Sequence, residues 1–394
     1  MMTIIKFILF IVVFLGLLFG AHYLLFTSFI RFMAVSDPGI RRTILWIIIC
    51  LALSFFPAAI LLRVHANIFT TFFYLIACIW LGLFLYLMMG SVLLWIIFGV
   101  GKVINAVPNM RMVGMAVFLL AAVFSLYGIW RARFPVVTNV SVQIQDLPDS
   151  WQDKTVVQLS DLHLGAINGP GFMKRVTETV NSLKPDLILI TGDLLDGMGG
   201  DLNVFIEPLN SLKASKGIFY VTGNHEGYLG LEKAFSIIRQ THMTILDNQI
   251  VEVDGLQIIG ISFPEHDRKN VTRELLKESG TYDTKKPGIL MYHTPTSIEE
   301  NNTDRGSQQV KTYWFPDTRM LLAKEMGIDL QLSGHTHQGQ LFPFGFLTCL
   351  IYNGYDYGLH QDDQFQIYTS SGTGTWGPPM RSGSRSEIVR IQLR

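Results

Sequence analysis

The stretch Thr155-Val156-Val157-Gln158-Leu159-Ser160-Asp161-Leu162-His163 decides how this chain is read. A short β-branched run reads as a strand, and it stops at Ser160-Asp161, where polar residues favour a turn. The pattern then recurs along the chain. Leu187–Ile190 is wholly apolar and ends at Gly192-Asp193, and Gly217–Val221 ends at Gly223-Asn224-His225. Ile289–Tyr292 runs into His293, and Leu330–Leu332 runs into Gly334-His335-Thr336-His337. Helical spacing fills the intervals. Phe172, Val176, Val180 and Leu183 lie on one side of 170–183, which Pro185 closes, and further helices are expected at Asn203–Leu212, Leu229–Arg239 and Thr318–Met326. Val136–Ile144, Leu256–Ile261 and Gln366–Thr369 complete the expected strands. Short apolar strands separated by helices imply covered sheets, with the site beyond the strand carboxyl ends.

The residues at those strand ends are suited to chemistry. Side chains at i and i+2 of an extended or turning chain can converge on one ion, as in Asp161/His163 and His335/His337. Carboxylates mixed with imidazoles suit Mn, Fe or Zn better than Ca, which prefers oxygen. One ion rarely needs seven protein ligands, whereas two ions sharing a carboxylate do, and Asp193 is the natural bridge. Two ions about 3.5–4 Å apart polarise a phosphoryl group and activate a water for in-line attack. The other histidines carry no such pattern. His242, His266 and His360 read as surface or helix residues, and His22 and His65 as interior or interfacial residues of the apolar section.

On these residues, positions 150–390 resemble the calcineurin-like metallophosphoesterase superfamily. Asp161-Leu162-His163, Gly192-Asp193, Gly223-Asn224-His225-Glu226, His293 and Gly334-His335-Thr336-His337 match its five signature segments. The resemblance implies an α/β metallophosphoesterase domain, a two-sheet β sandwich flanked by helices, with two divalent ions, Mn2+ foremost and Fe or Zn as alternatives. It makes Asp161, His163 and His337 ligands of one metal and Asn224, His293 and His335 ligands of the other, with Asp193 between them. His225 would contact the substrate phosphate and protonate the leaving oxygen. Ser160–Gly165, Gly334–Gln340, Gly372–Gly377 and Arg385–Ile388 are similar to a bacterial membrane-associated branch of phosphodiesterases and lipid-directed pyrophosphatases. Two positions depart from that branch: Gln338 stands where glycine is common, and Ser386-Glu387 replaces a common Pro-Glu. Glu226 is expected to support the turn or a ligand ring. Asp196 is either a group orienting a neighbour or a solvated loop acid.

The first third is a different material. Residues 1–133 hold nine Lys/Arg and one acid, Asp37, a net of +8, so the remainder carries −8. Only 16% of the whole is charged, against about 25% for soluble domains, which argues against disorder and an ordinary soluble globule. Four apolar stretches, 7–30, 43–62, 68–89 and 112–130, are each long enough at about 20 residues to cross a hydrocarbon core. The expected architecture is therefore a multi-span α-helical membrane region (1–133), a connector and first strand (134–153), then the phosphoesterase domain (154–394). Val64–Gly101 is charge-free over 38 residues, too long for one untilted span, so its tail near Trp95–Ile104 is placed along the interface. Trp46, Trp95 and Trp130 serve as interfacial anchors. Three or five spans, or a cleaved first run, are the alternatives. Five basic residues on one side against four on the other favour an exterior catalytic domain in a bacterial cytoplasmic membrane.

The expected function is hydrolysis of a phosphodiester or pyrophosphate bond of a membrane lipid or lipid-linked substrate. The alternatives are soluble phosphoesters and a metal-binding scaffold without turnover. The segment Gly339–Tyr357, rich in Leu341, Phe342, Phe344, Phe346, Tyr352 and Tyr355, is read either as a lip toward lipid or as a core β-hairpin. The acidic remainder without a basic run argues against nucleic acid as a partner. Three cysteines exclude a disulfide framework, though not a single bridge. Asn139, Asn270 and Asn301 fit the glycosylation triplet and matter only in a eukaryotic lumen. Oligomeric state is open.

Overall fold

The computed structural model describes residues 2–198, 200–264, 275–276, 281–298 and 315–394, so the readings at His266, Asn270 and Asn301 lie outside the described residues. The chain forms two compact units, Met1–Ile129 with Gly377–Met380, and Trp130–Trp376 with Arg381–Arg394.

The first unit is built on four helices, α1 (Met2–Phe32), α2 (Pro38–Val64), α3 (Ile68–Val103) and α4 (Met110–Arg133). All four are long and apolar enough to cross a membrane. Their ends follow local chemistry. Asp37 caps α2 by accepting the Ile40 N–H, and Pro38 occupies the first turn, where its missing N–H is harmless. Asn67 and Thr70 form a reciprocal capping box at the start of α3.

The third stretch differs from its expected form. It does not stop near Met89 with an interfacial tail; α3 continues without a break to Val103, about 54 Å at 1.5 Å per residue. Packing against α1 holds that tail in the helix. Trp95 donates to Ser28 Oγ at 2.9 Å, Phe32 packs edge-on to Trp95, and the Arg31 guanidinium lies 4.5 Å from the Phe98 ring centre. Trp95 is thus an inter-helix packing residue. His22 is buried and stacked on Phe84 at 3.8 Å, as an interior residue, whereas His65 is exposed at the end of α2.

The second unit is a sandwich of two six-stranded mixed sheets. In chain order its elements are β1 (Val136–Val142), β2 (Thr155–Leu159), α5 (Pro170–Ser182), β3 (Leu187–Thr191), α6 (Ile206–Asn210), β4 (Ile218–Val221), α7 (Asn224–Leu229) and α8 (Leu231–Ile238). Then come β5 (Thr244–Ile245), β6 (Gln249–Val253), β7 (Leu256–Ile261), β8 (Gly288–Tyr292), α9 (Leu321–Glu325), β9 (Leu330–Ser333), α10 (Phe344–Ile351), β10 (Gly358–Asp362), β11 (Phe365–Thr369) and β12 (Glu387–Leu393). The sheet orders are β1-β12-β2-β3-β4-β5 and β10-β11-β9-β8-β7-β6. Strands β2 to β5 run parallel, as do β7, β8, β9 and β11.

Burial on both faces explains why β3, β4 and β8 are apolar without alternation, while Gln158 of β2 and Gln331 of β9 are buried with hydrogen-bond partners. Leu187 and Leu189 point between the sheets toward Ile258, Ile289, Met291 and Leu332, while Ile188 and Ile190 pack under Phe172, Val176 and Val180 of α5. The second sheet repeats the arrangement, with Leu290 and Tyr292 turned outward against Leu322 and Ala323 of α9. Every signature segment lies just past the carboxyl end of a parallel strand, β2, β3, β4, β8 or β9, so the fold delivers all five to one end of the sandwich.

The segment after His337 departs from one of its two readings. Gly339–Tyr357 contains no hairpin; residues 344–351 form α10, in which no residue is buried. Phe342, Phe344 and Phe346 are exposed, whereas Leu341 and Tyr352 are buried and Tyr355 packs against the outer core of the second sheet. Those last three do not belong to an exposed lip. The run lacks the polar–apolar alternation of a half-buried strand, and a helix carries its apolar residues outward on all sides.

Candidate metal centre

Tight turns after the strands aim the polar side chains. Asp161, His163, Asp193, His335 and His337 all have positive φ, between 45° and 73°. Asp, Asn and His adopt that left-handed conformation more readily than other residues with side chains. Gly223 and Gly334 make the turns possible, because a Cβ on Gly223 would overlap Asp193 and one on Gly334 would overlap Ser160 and Asp161. Gln338 has φ 49° and ψ 38°, which explains why glycine is favoured at that position.

Seven side chains converge. His163 Nε2 lies 3.0 Å from His337 Nε2, and Asp161 Oδ1 lies 3.3 Å from His337 Nε2 and 3.9 Å from His163 Nε2. Nearby, Asn224 Oδ1 is 3.0 Å from His335 Nδ1 and 3.2 Å from His293 Nε2, and those two ring nitrogens are 3.3 Å apart. Asp193 Oδ2 stands between the groups, 3.8 Å from His163 Nε2 and 3.2 Å from His293 Nε2. His293 Nδ1 donates to the Thr191 carbonyl at 2.9 Å, which orients its ring with Nε2 toward the cluster. Asp161 and Asp193 are buried, and their ion-pair partners among the described residues are imidazoles. Buried carboxylates and facing imidazole nitrogens without a Lys or Arg partner fit divalent cations. Three sets of these groups each bring their donor atoms within 4.8 Å: Asp161/His163/His337, Asp161/Asp193/His293 and His163/Asp193/His225.

The electrostatics suit that reading at Asp193, His163, His335 and His337. Burial would raise the Asp193 pKa, but the His293 and His225 imidazoles outweigh it and hold the carboxyl well below the usual range. Burial and the nearby His225 hold His163 well below an ordinary histidine. Burial and His293 push His335 down to about 3, and burial lowers His337. Neutral imidazole is the form that binds metal. His225 behaves differently: burial opposes its cation, yet Asp193 and Asp196 outweigh burial and raise the ring to about 9. Burial also disfavours a His293 cation, but the adjacent Asp193 raises that ring to about 10, so an ion bound there would have to displace its proton.

His225 sits at the rim. Its backbone N–H donates to Asp193 Oδ1 at 2.8 Å, and its ring packs edge-on to His163 at 4.4 Å. Its Nδ1 lies 3.5 Å from Asp196 Oδ1. Asp196 is buried beside that ring, which favours its orienting reading over that of a solvated loop acid. Asp196→Asn is expected to cut kcat about ten-fold at unchanged metal content, the usual scale for loss of an orienting partner; metal analysis beside kinetics checks both halves. Glu226 supports the turn: it accepts the N–H groups of Asp193, Leu195 and Gly223 at 3.1, 3.0 and 2.7 Å. Glu226→Ala strands three buried donors, each costing about 1–3 kcal/mol. The thermal midpoint of the protein in detergent should therefore drop by at least roughly 6 °C; an unchanged midpoint would refute this role.

Arg381 escaped the sequence reading, and Glu387 entered it only within a resemblance, with no role assigned. Arg381 is fully buried and donates to the carbonyls of Gly372 and Gly374 at 3.2 and 2.6 Å, with its Nη2 2.9 Å from His337 Nδ1. Glu387 is buried and accepts from Ser370 Oγ at 3.0 Å and the Ser371 N–H at 2.8 Å. Together they fix the loop whose Thr373 and Gly374 N–H groups bond the Ser160 and Asp161 carbonyls. The only signal was the run Arg381–Glu387 itself, in a Gly/Ser-rich loop that composition assigns to solvent. Ser386 is buried and bonds the Ala132 carbonyl at 3.3 Å. Of the other histidines, His242 is exposed and His360 is half-buried in β10.

A family model described as calcineurin-like phosphoesterase matches residues 154–339. An uncharacterised metallophosphoesterase of Helicobacter pylori strain J99 is 36% identical over 240 residues, 60% of this chain and 59% of that protein. Another from Campylobacter jejuni is 32% identical over 295 residues, 74% of this chain and 71% of that protein. A Danio rerio protein described as a transmembrane protein with metallophosphoesterase domain is 31% identical over 294 residues, 70% of this chain and 61% of that protein. The match thus spans under two thirds of the length of the Helicobacter relative.

Proposed function

Because the chain belongs to the calcineurin-like metallophosphoesterase family, we propose that it is a membrane-anchored, dinuclear-metal hydrolase of a phosphodiester or pyrophosphate bond in a lipid or lipid-linked substrate. One observation carries the reading. The Asp193 carboxylate stands between His163 on one side and His293 on the other, each backed by further donors. Asp161, His163 and His337 would hold one ion, Asn224, His293 and His335 a second, and Asp193 both. We propose Mn2+ foremost at these sites from the family resemblance; the mixed oxygen and nitrogen donors suit Fe or Zn as well. Bound there, such ions polarise a phosphoryl group and lower the pKa of water.

The chain's own groups do the rest. Glu226 holds the turns after β3 and β4 in register, which fixes where Asp193 and Asn224 point. Arg381 and Glu387 hold the loop beneath Asp161 and His337. His225, at the rim beside Asp193 and Asp196, is positioned to give a proton to the leaving oxygen. Asp196 keeps that ring in place.

The lipid part rests on attachment: only Phe134 and Pro135 separate the last apolar helix from β1. A substrate panel on the detergent-purified full chain tests it. Detergent-dispersed lipid phosphodiester or pyrophosphate should be turned over with at least ten-fold higher kcat/KM than a soluble aryl phosphodiester, and chelation should abolish both activities. Preference for the soluble compound would favour an anchored enzyme of soluble phosphoesters. Bound metal with no hydrolysis of any ester would favour a scaffold. Exterior placement of the domain is proposed from the balance of basic residues, and protease accessibility in sealed vesicles reads it.

A further inference from the structure

We propose that Phe342–Leu350, the segment built around α10, is an interfacial element that buries its side chains among the acyl chains of the leaflet beside which the metal centre works. The observation is an apolar surface without a protein partner among the described residues. Phe342, Phe344, Phe346, Leu347 and Leu350 are all exposed, Phe346 to 75% and Leu350 to 76%. No charged residue occurs from Gln338 to Tyr355. Five large apolar side chains on one short segment exceed the scattered exposure normal for a soluble surface.

Chain connections select a bilayer as the occupant. The last turn of α4, from Trp130, clusters with the catalytic domain, and a helix of this length emerges from lipid at its end. The Ala132 carbonyl accepts from Ser386 Oγ at 3.3 Å, and the Phe342 N–H donates to Ser382 Oγ at 3.3 Å. Ser386 lies four residue steps beyond Ser382, a span of at most about 14 Å. The exposed segment therefore begins within roughly 25 Å of the Ala132 carbonyl at the end of α4. A second copy of the chain fits less well, since one eight-residue helix offers far less than the ~800 Å² per partner of a standard interface. A short apolar helix lying about 5–10 Å into the headgroup–acyl boundary fits it directly.

The same segment reaches the metal centre. Gln340 is hydrogen-bonded in both directions to the Trp376 backbone, at 3.0 and 3.3 Å, and the exposed Trp376 ring lies 6.3 Å from that of His225. Insertion would bring headgroup phosphates to the His225 rim. That consequence rests on the lipid-directed function; the insertion itself is tested without turnover.

Cys349 is exposed on α10, Cys50 is the other exposed thiol and Cys78 is buried. In the full-length Cys50→Ser protein, Cys349 is labelled with an environment-sensitive fluorophore and the protein is reconstituted in phosphatidylcholine–phosphatidylglycerol vesicles. Lipid carrying a nitroxide on its acyl chain should quench the label at least two-fold. Adding Phe346→Ser and Leu350→Ser should remove that quenching while metal content stays the same, which shows an intact fold. Quenching by aqueous iodide but not by the lipid nitroxide would overturn the proposal. So would efficient Cys349–Cys349 cross-linking between copies, which would assign the surface to self-association.

Discussion

Asp193→Asn should reduce kcat at least about 1,000-fold, equivalent to roughly 4 kcal/mol of transition-state stabilisation, and leave the purified protein with less than one metal ion per chain. The substitution is nearly isosteric. An Asn side-chain oxygen can still accept the His225 N–H that Asp193 Oδ1 accepts at 2.8 Å, so the turns after β3 and β4 should persist. The negative charge between His163 and His293 is lost. A neutral amide oxygen is a weaker ligand and a poor bridge between two cations. The loss should therefore register in metal content as strongly as in rate, without a matching drop in thermal midpoint. Retention of two ions and a tenth of the activity would show that Asp193 is not the bridge.

His225→Ala should separate rate from metal binding. The kcat for an alkyl or lipid ester is expected to fall about 10²–10⁴-fold, the usual contribution of general acid catalysis, with two ions still bound. For an aryl ester whose leaving oxygen departs without a proton, the loss should shrink to about ten-fold or less. His225 is the member of the cluster whose ring faces Asp196 and the rim, and its ring packs against Tyr228 at 5.2 Å as well as His163. The geometry also allows His163, Asp193 and His225 to share an ion. If His225→Ala lost metal, and lost rate equally for both esters, His225 would be a ligand and the proton would come from elsewhere.

The parts legible in the sequence are those set by local rules. Strands β2, β3, β4, β8 and β9 are buried on both faces, so they are rich in apolar residues, β3, β4 and β8 most of all, and they end abruptly at polar residues. Because the fold puts a turn there, the residue types that tolerate left-handed backbone and bind metal stand next to each strand in sequence. The features that stayed hidden depend on tertiary packing. Arg381 and Glu387 are buried because each satisfies several groups of one loop, and nothing in a Gly/Ser-rich run distinguishes that from solvation. Asp196 could be an orienting group or a loop acid until His225 was placed beside it. The extension of α3 to Val103 depends on Trp95 and Phe98 meeting α1, whereas apolar length alone suggested a break. The segment after His337 is apolar in either reading, and its helix is decided by turn geometry and exposure that composition does not carry.

The proposed function depends on seven side chains, drawn from five strand ends, forming one cage for a pair of ions. Elemental analysis of the full-length protein, purified from metal-replete cells and cleared of loosely bound metal, tests that dependence most directly. Two divalent ions per chain are expected. One ion or none under those conditions would contradict the account.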